Sequence, residues 1–247
     1  ASNAPFSGKL TVNESDRRAT KNFEKAIALC TGDIIFRSDQ DDYWHPQKLE
    51  RIEREFQNDA EVGLVFSNAE IVDAKMQSLG RTLWDFTFSE QKRAEVLNKN
   101  LFDVLMSQNA VTGATMAFRA RYRKDFTPIP DDIPNLIHDS WISLSIAALA
   151  ESIFIDENLI KYRQHSAQQL GINFEHSKSL NYLQIRHRYA ASIEFCEGEI
   201  ERLQQMKELF PHFEQFEQHR QSVDFEDLIK EKKGRIKHYE RRKDLPQ

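Results

Sequence analysis

Asp39, Asp41 and Asp42 place three carboxylates within four residues, directly after the apolar run Ile34-Ile35-Phe36. Like charges this close repel one another, most strongly where water is excluded, so the pattern asks for a positive partner. Oxygen donors in that number suit a hard divalent cation, magnesium or manganese, which keeps part of its water shell and bridges to phosphates. The carboxyl end of a strand in an open α/β sheet is also where ligands gather. A bland reading stands beside this one: a solvated turn leading into the helix that Pro46 opens. Two rival chemistries fail on the same residues. An EF-hand needs glycine where Trp44 stands and a helix where the strand precedes, and D-x-D-x-T phosphatase chemistry needs a small residue where Tyr43 stands.

Other candidates lie further along the chain. Asp139 opens a segment whose helical face includes Ile142, Ile146 and Leu149. A carboxylate there either caps the helix or, within reach of a hydroxyl, takes its proton. His165 next to Arg163 reads as an ordinary hydrogen-bonded histidine or as a ligand. Gly113 precedes a strand and marks a turn or a close backbone approach. Trp44 and Trp141 are core or pocket wall, and aromatic faces also stack on sugars.

The elements that must position these groups follow from periodicity. Ser15-Asp16 caps a helix with Ala19, Phe23, Ile27 and Cys30 on one face, and Thr31-Gly32 stops it. A strand over 33–37 runs into the acidic turn, and a helix after Pro46 turns Leu49, Ile52 and Phe56 inward. Strands are expected at 62–67, 69–74, 114–120, 153–155 and 159–162, with helices over roughly 94–106 and after the proline-rich 127–135 loop. This alternation implies an α/β fold, a mixed sheet covered by helices, over residues 5–174. Residues 175–247 form a helical C-terminal region. Tyr182, Ile185, Tyr189, Ile193, Cys196, Ile200, Leu203, Met206 and Phe210 make one long stripe ended by Pro211. Phe213, Phe216 and Val223, then Phe225, Ile229, Ile236 and Tyr239, suggest one or two more helices.

Three blocks of residues together resemble a known family. Asn22-Phe23-Glu24-Lys25-Ala26, Thr31-Gly32-Asp33-Ile34-Ile35-Phe36 and Ser38-Asp39-Gln40-Asp41-Asp42-x-Trp44-x-Pro46-x-Lys48-Leu49 are similar to the centre of family-2 glycosyltransferases with the GT-A fold. Bacterial rhamnosyltransferase-like members are the nearest likeness. Thr112-Gly113-Ala114-Thr115-Met116-Ala117-Phe118, His138-Asp139-Ser140-Trp141 and Tyr162-Arg163-Gln164-His165 agree in order, so the resemblance covers roughly residues 10–171. It implies an inverting transferase that moves a sugar such as rhamnose from a nucleotide-sugar donor to a glycan or lipid-linked acceptor in bacterial surface polysaccharide synthesis. Asp39-Gln40-Asp41 would be the D-x-D motif, with Asp41 on the metal and Asp39 near the ribose or a metal-bound water. Asp139 would be the base, and His165 with Arg163 would close over the diphosphate or metal. Asp42, Trp44, Gly113, His138 and Trp141 would face the acceptor.

The family's two opening strands, which hold the base and ribose, have no counterpart in the roughly twenty residues before Asn22. The expectation is therefore an N-terminally truncated domain that self-associates or is weakly stable, since uncovered sheet edges attract partners. The alternative is a non-catalytic module that binds metal but not donor.

Composition bounds the rest. The 247 residues carry 34 Lys+Arg and 39 Asp+Glu, a net charge of −5, which argues against a nucleic-acid partner. Two cysteines fit a reducing compartment, and the expected location is cytoplasmic. Neither a G-x-G-x-x-G nor a G-x-x-x-x-G-K-[ST] stretch is present, so dinucleotide and P-loop sites are not written here. Residues 228–243 hold eight basic residues against Glu231 and Glu240. That is a solvated face, or a peripheral contact with the anionic inner face of a membrane.

Overall fold

The structure is a computed structural model that describes residues 8, 10–15, 18–98, 101–107, 109–165, 182–209 and 224–243. Its chain order is α1 (Arg18–Leu29), β1 (Ile34–Phe36), β2 (Tyr43–Trp44), α2 (Lys48–Asn58), β3 (Val62–Val72), β4 (Ser78–Thr82), α3 (Trp84–Thr87), α4 (Glu90–Asn98) and α5 (Leu101–Ser107). There follow β5 (Met116–Arg119), α6 (Arg123–Phe126), α7 (His138–Leu149), β6 (Glu151–Arg163), α8 (Tyr182–Leu209) and α9 (Phe225–Lys243).

The strands form one mixed sheet in the order β1-β5-β3-β6-β2, with β4 paired to β3 off that path. Only β3 and β6 run parallel; the other pairs are antiparallel. Alternation along each strand separates two apolar faces. Ile35, Leu64, Phe66, Met116 and Phe118 join the larger core with α5, α7 and the C-terminal helices. Val62, Val65, Ala117, Ile155 and Leu159 face α2 through Ile52 and Phe56. The expected α/β architecture with a helical C-terminal region is thus what the chain adopts.

The differences have local causes. The strands expected at 62–67 and 69–74 are one: Asn68 still pairs with Asn158 although the register shifts on either side of it, and its Oδ1 accepts from the backbone N–H of Ala69 and Trp84, at 2.9 and 3.2 Å. The two expected at 153–155 and 159–162 are likewise one, with Asp156 and Glu157 absorbed where the pairing shifts from Ser67↔Ile155 to Asn68↔Asn158. β4, Ser-Leu-Gly-Arg-Thr, was not expected, since it is almost wholly exposed and lacks an apolar face. The helix expected over 94–106 corresponds to α4 and α5, on either side of residues 99–100, which lie outside the described residues. Residues 113–115 form a 3-10 turn rather than the start of a strand. Leu49 is exposed, and Lys48 takes the inward position with Ile52 and Phe56, four residues apart each time. α7 buries its whole length after His138, not one face, because β3, α1, α5 and α6 all pack on it.

The C-terminal stripe is present where it is described. Cys196, Leu203 and Met206 are buried on α8, and Ile229 on α9. Expectations for Asp16, Phe210, Pro211, Phe213, Phe216 and Val223, and for the side chains of Tyr182 and Ile185, fall outside the described residues. A buried ion cluster joins the two helices: Glu199 lies 2.8 Å from Arg202 and 3.7 Å from Lys232, and Arg202 donates to the carbonyl of Met106 in α5. Lys232 is therefore not part of the solvated basic face. Replacing Glu199 by Ala strands two buried cations, and urea unfolding is expected to show a loss of about 3–5 kcal/mol.

Candidate functional site

The acidic turn lies between two short strands. β1 ends at Phe36, residues 37–42 cross the carboxyl edge, and β2 returns to pair Tyr43 and Trp44 with Lys161 and Ile160 of β6. Because β6 is β2's neighbour, the residues at its end meet the turn. The Arg163 N–H donates to Asp42 Oδ1 at 3.1 Å, and His165 Nε2 lies 2.7 Å from Asp41 Oδ2.

Asp139 arrives from the opposite direction, in the first turn of α7. The residue before the helix, Ile137, makes no side-chain cap; Asp139 Oδ1 instead accepts from Ser140 N–H at 2.9 Å. A carboxylate there suits the helix dipole, although Asp139 stands inside the first turn and Ile137 at the cap position. Its other oxygen, Oδ2, accepts from the Gly113 N–H at 3.0 Å, across 26 residues of sequence. Gly113 is held beside β1 because β5 pairs antiparallel with it, Phe36 opposite Ala117.

Charge shows how closely these groups converge. Burial raises the Asp39 carboxyl, with Asp41 and Asp139 adding to the rise and Arg37 and Lys48 opposing it. Burial likewise brings Asp42 up to about 6, and its Oδ2 has no hydrogen-bond partner among the described residues. Tyr162 is pushed up to about 12 by burial, then by Asp42, Asp39, Asp139 and Asp41 in that order. All four carboxylates thus act on one phenol, which groups Asp139 electrostatically with the turn.

Two buried cations answer them. Lys48 is fully buried, donates to the Ala114 carbonyl at 2.9 Å and lies under the Trp44 ring at 3.9 Å. Arg37 packs its guanidinium on the Phe23 ring at 4.0 Å and is 4 % exposed. His138 stacks on the Phe23 ring at 4.7 Å, and burial and Arg37 together push it down to about 4. Of the residues expected to face an acceptor, Asp42, Trp44, Gly113 and His138 therefore border the acidic site, while Trp141 does not. Its indole is in the core and donates to the Phe126 carbonyl at 2.8 Å.

Sequence reading passed over Arg37, Lys48 and Tyr162 as site residues, although the signals existed. Arg37 shares the inward parity of Ile35, and Lys48 shares the four-residue spacing of Ile52 and Phe56. Tyr162 ends an alternating strand and gave no such sign.

Lys48 carries a pH signature. Burial lowers it from 10.5 to about 7, so between these values the unfolded chain holds a proton that the folded chain does not. Stability then rises with pH across that window. Urea unfolding at pH 7.5 and 9.5 is expected to show this rise in the wild type and to lose it in Lys48→Met.

As a donor set, Asp41 Oδ2 and His165 Nε2 form a carboxylate–imidazole pair suited to a divalent cation whose remaining ligands are phosphate oxygens and water. Among the described residues no group of three or more His, Cys, Asp or Glu side chains is arranged to hold a metal by itself. No helix among them is long and apolar enough to cross a membrane.

Residues 4–132 match the family model described as "Glycosyl transferase family 2", which is more than half of the chain. An uncharacterized glycosyltransferase of Nostoc sp. (strain PCC 7120) is 26% identical over 149 residues, 59% of this chain and 44% of that relative. The chain thus spans less than half the length of the curated relative it matches. The family match contains the acidic turn, Lys48 and Gly113, and ends before Asp139 and His165.

Proposed function

The chain belongs to glycosyl transferase family 2, and on that premise we propose that it transfers a sugar from a nucleotide-sugar donor to an acceptor hydroxyl with inversion. The observation that carries this reading is the placement of Asp139, gripped by Gly113, in one electrostatic cluster with Asp39, Asp41 and Asp42.

In this mechanism Asp139 takes the proton of the acceptor hydroxyl. Both of its oxygens accept a backbone N–H, which fixes the carboxylate and leaves further lone pairs for the incoming proton. The acceptor oxygen attacks the anomeric carbon while the bond from that carbon to the diphosphate oxygen breaks, and the nucleoside diphosphate leaves with the electron pair. Asp41 and His165 are the residues that would hold a manganese or magnesium ion, with Asp39 beside them. When bound, the ion supplies Lewis-acid neutralisation of the departing diphosphate. Asp42 braces the turn through the Arg163 N–H, and Trp44, roofing Lys48, offers an aromatic edge to a sugar.

For the finer identity, the proposal is a rhamnose or similar donor and a glycan or lipid-linked acceptor of a bacterial surface polysaccharide, reached from the cytoplasmic side. Exposed basic residues of α9, such as Lys230 and Lys233, support a peripheral contact with an anionic membrane surface. Binding to phosphatidylglycerol vesicles that weakens with salt is the expected sign.

One observation favours a second reading. Among the described residues β1 is paired on one side only, by β5, so the turn projects from an edge strand. A module that holds metal without donor, or one completed by self-association, would look like this. Calorimetric titration with uridine, guanosine and thymidine diphosphates in the presence of manganese separates the readings. The transferase binds one of them in a metal-dependent way; the module binds none.

A further inference from the structure

Arg37 is the most costly residue in this site. Its guanidinium is almost wholly buried, and neither Nε nor Nη1 has a hydrogen-bond partner among the described residues, although a desolvated charge normally demands several. Burial accordingly lowers its affinity for the proton, with Asp139 and then Asp39 opposing that effect. The packing around it is specific. Phe23 covers one face at 4.0 Å. The backbone of Gly113 also comes so close that a Cβ there would sit 2.3 Å from Nη1 and 2.6 Å from Cζ. That same Gly113 gives its N–H to Asp139. One peptide thus touches both the cation and the proposed base.

Such a residue is a poor choice for stability. An apolar side chain of similar length would keep the contact with Phe23 and remove the desolvation cost without breaking a hydrogen bond at Nε or Nη1. A group retained against its own cost is characteristic of functional sites.

We infer that Arg37 is a positioning residue for Asp139: its fixed guanidinium sets the Gly113 peptide that orients the base, and supplies the positive field between Asp139 and Asp39. This rests on the transferase reading for Asp139 and adds to it a residue outside the acidic motif. It also explains the glycine. Position 113 has no positive backbone φ and needs no conformational freedom; it needs the absence of a side chain where the guanidinium lies.

The test compares Arg37→Met, Arg37→Lys and Gly113→Ala with the wild type. Three quantities are read: the melting temperature, the His138 ring titration by proton NMR, and nucleoside diphosphate release from the donor that supports wild-type turnover. His138 is a reporter because Arg37 and Asp139 are the charges that face it, with opposite effects. In Arg37→Met the melting temperature is expected to stay or rise. The His138 midpoint should climb toward its ordinary value by about one unit, roughly tenfold in the proton affinity. kcat is expected to fall at least tenfold while the donor KM changes less than twofold. Arg37→Lys should recover part of kcat and of the low His138 midpoint. Gly113→Ala should lower kcat in the wild type and have a smaller effect in the Arg37→Met background, where the clashing group is gone.

A lower melting temperature in Arg37→Met with turnover lost in proportion would make Arg37 a structural residue and overturn the inference. An unmoved His138 midpoint or an unchanged kcat would do so as well. A wild type that turns over no donor would sink the transferase reading instead, and the melting and NMR results would still decide the place of Arg37.

Discussion

Asp139→Asn should abolish sugar transfer while leaving the protein folded. The amide keeps the shape and one good acceptor for the two N–H groups of Gly113 and Ser140. Its NH2 end faces the other N–H, so a stability loss of about 1–2 kcal/mol is expected in urea unfolding. What the amide cannot do is take a proton from a hydroxyl. Loss of a general base costs on the order of 10²–10⁴ in turnover, far beyond what that change in stability can produce in a protein that remains folded. Nucleoside diphosphate binding should be unchanged, since the proposed role of Asp139 is on the acceptor side. A variant that keeps a tenth or more of the wild-type turnover would reduce Asp139 to a helix-terminal residue that braces the Gly113 turn.

The second large effect is expected at Asp41. Its Oδ2 meets His165 at 2.7 Å, at the point where the end of β6 reaches the acidic turn. Asp41→Asn keeps the volume and a neutral hydrogen bond to the imidazole but removes the charge that a divalent ion needs. Lewis-acid stabilisation of a departing phosphate is worth several kcal/mol, so turnover should fall by roughly 10²–10³-fold. The loss should be accompanied by loss of manganese-dependent nucleoside diphosphate binding in calorimetry. His165→Gln is expected to weaken metal dependence less, because a neutral ligand contributes no charge. If Asp41→Asn binds the diphosphate and manganese as the wild type does, the metal belongs elsewhere or has no part in binding.

The two variants fail differently, and the difference reflects how the fold builds the site. β1 and β2 carry the turn, β6 delivers His165 to it, and the helix start of α7 brings Asp139 from another part of the chain. The acidic turn was legible in the sequence because its residues are contiguous and follow an apolar strand. Asp139 and His165 were legible through the family resemblance, since nothing in their immediate neighbours separates a base from a cap or a ligand from a surface histidine. Their meeting with the turn depends on strand order, which periodicity does not encode. The register of β6 is an example. Two strands were expected from its apolar ends, because the polar Asp156-Glu157 pair looks like a loop. In the sheet that pair is an irregularity in one long strand, and the long strand is what carries Arg163 and His165 to Asp42 and Asp41.

The buried cations were readable in principle, but neither was singled out as a site residue. Lys48 and Arg37 obey the inward spacing of their elements, yet the usual preference of charged side chains for the surface argues the other way. Tertiary context overrides that preference here because carboxylates lie nearby: Asp42 and Asp39 act on Lys48, and Asp139 and Asp39 on Arg37. Trp141 shows the opposite case. It stands two residues after the proposed base, but helical geometry turns it toward Phe126 and the core.

The central claim is that the acidic turn and Asp139 together make a glycosyl-transfer site. The most direct measurement is nucleoside diphosphate release from a panel of nucleotide sugars, with acceptor glycans present, by the wild type, Asp41→Asn and Asp139→Asn. Release from at least one donor is expected by the wild type, dependent on manganese or magnesium, and none by Asp139→Asn although that variant still binds the diphosphate. No release from any donor, or equal release by wild type and Asp139→Asn, would contradict it.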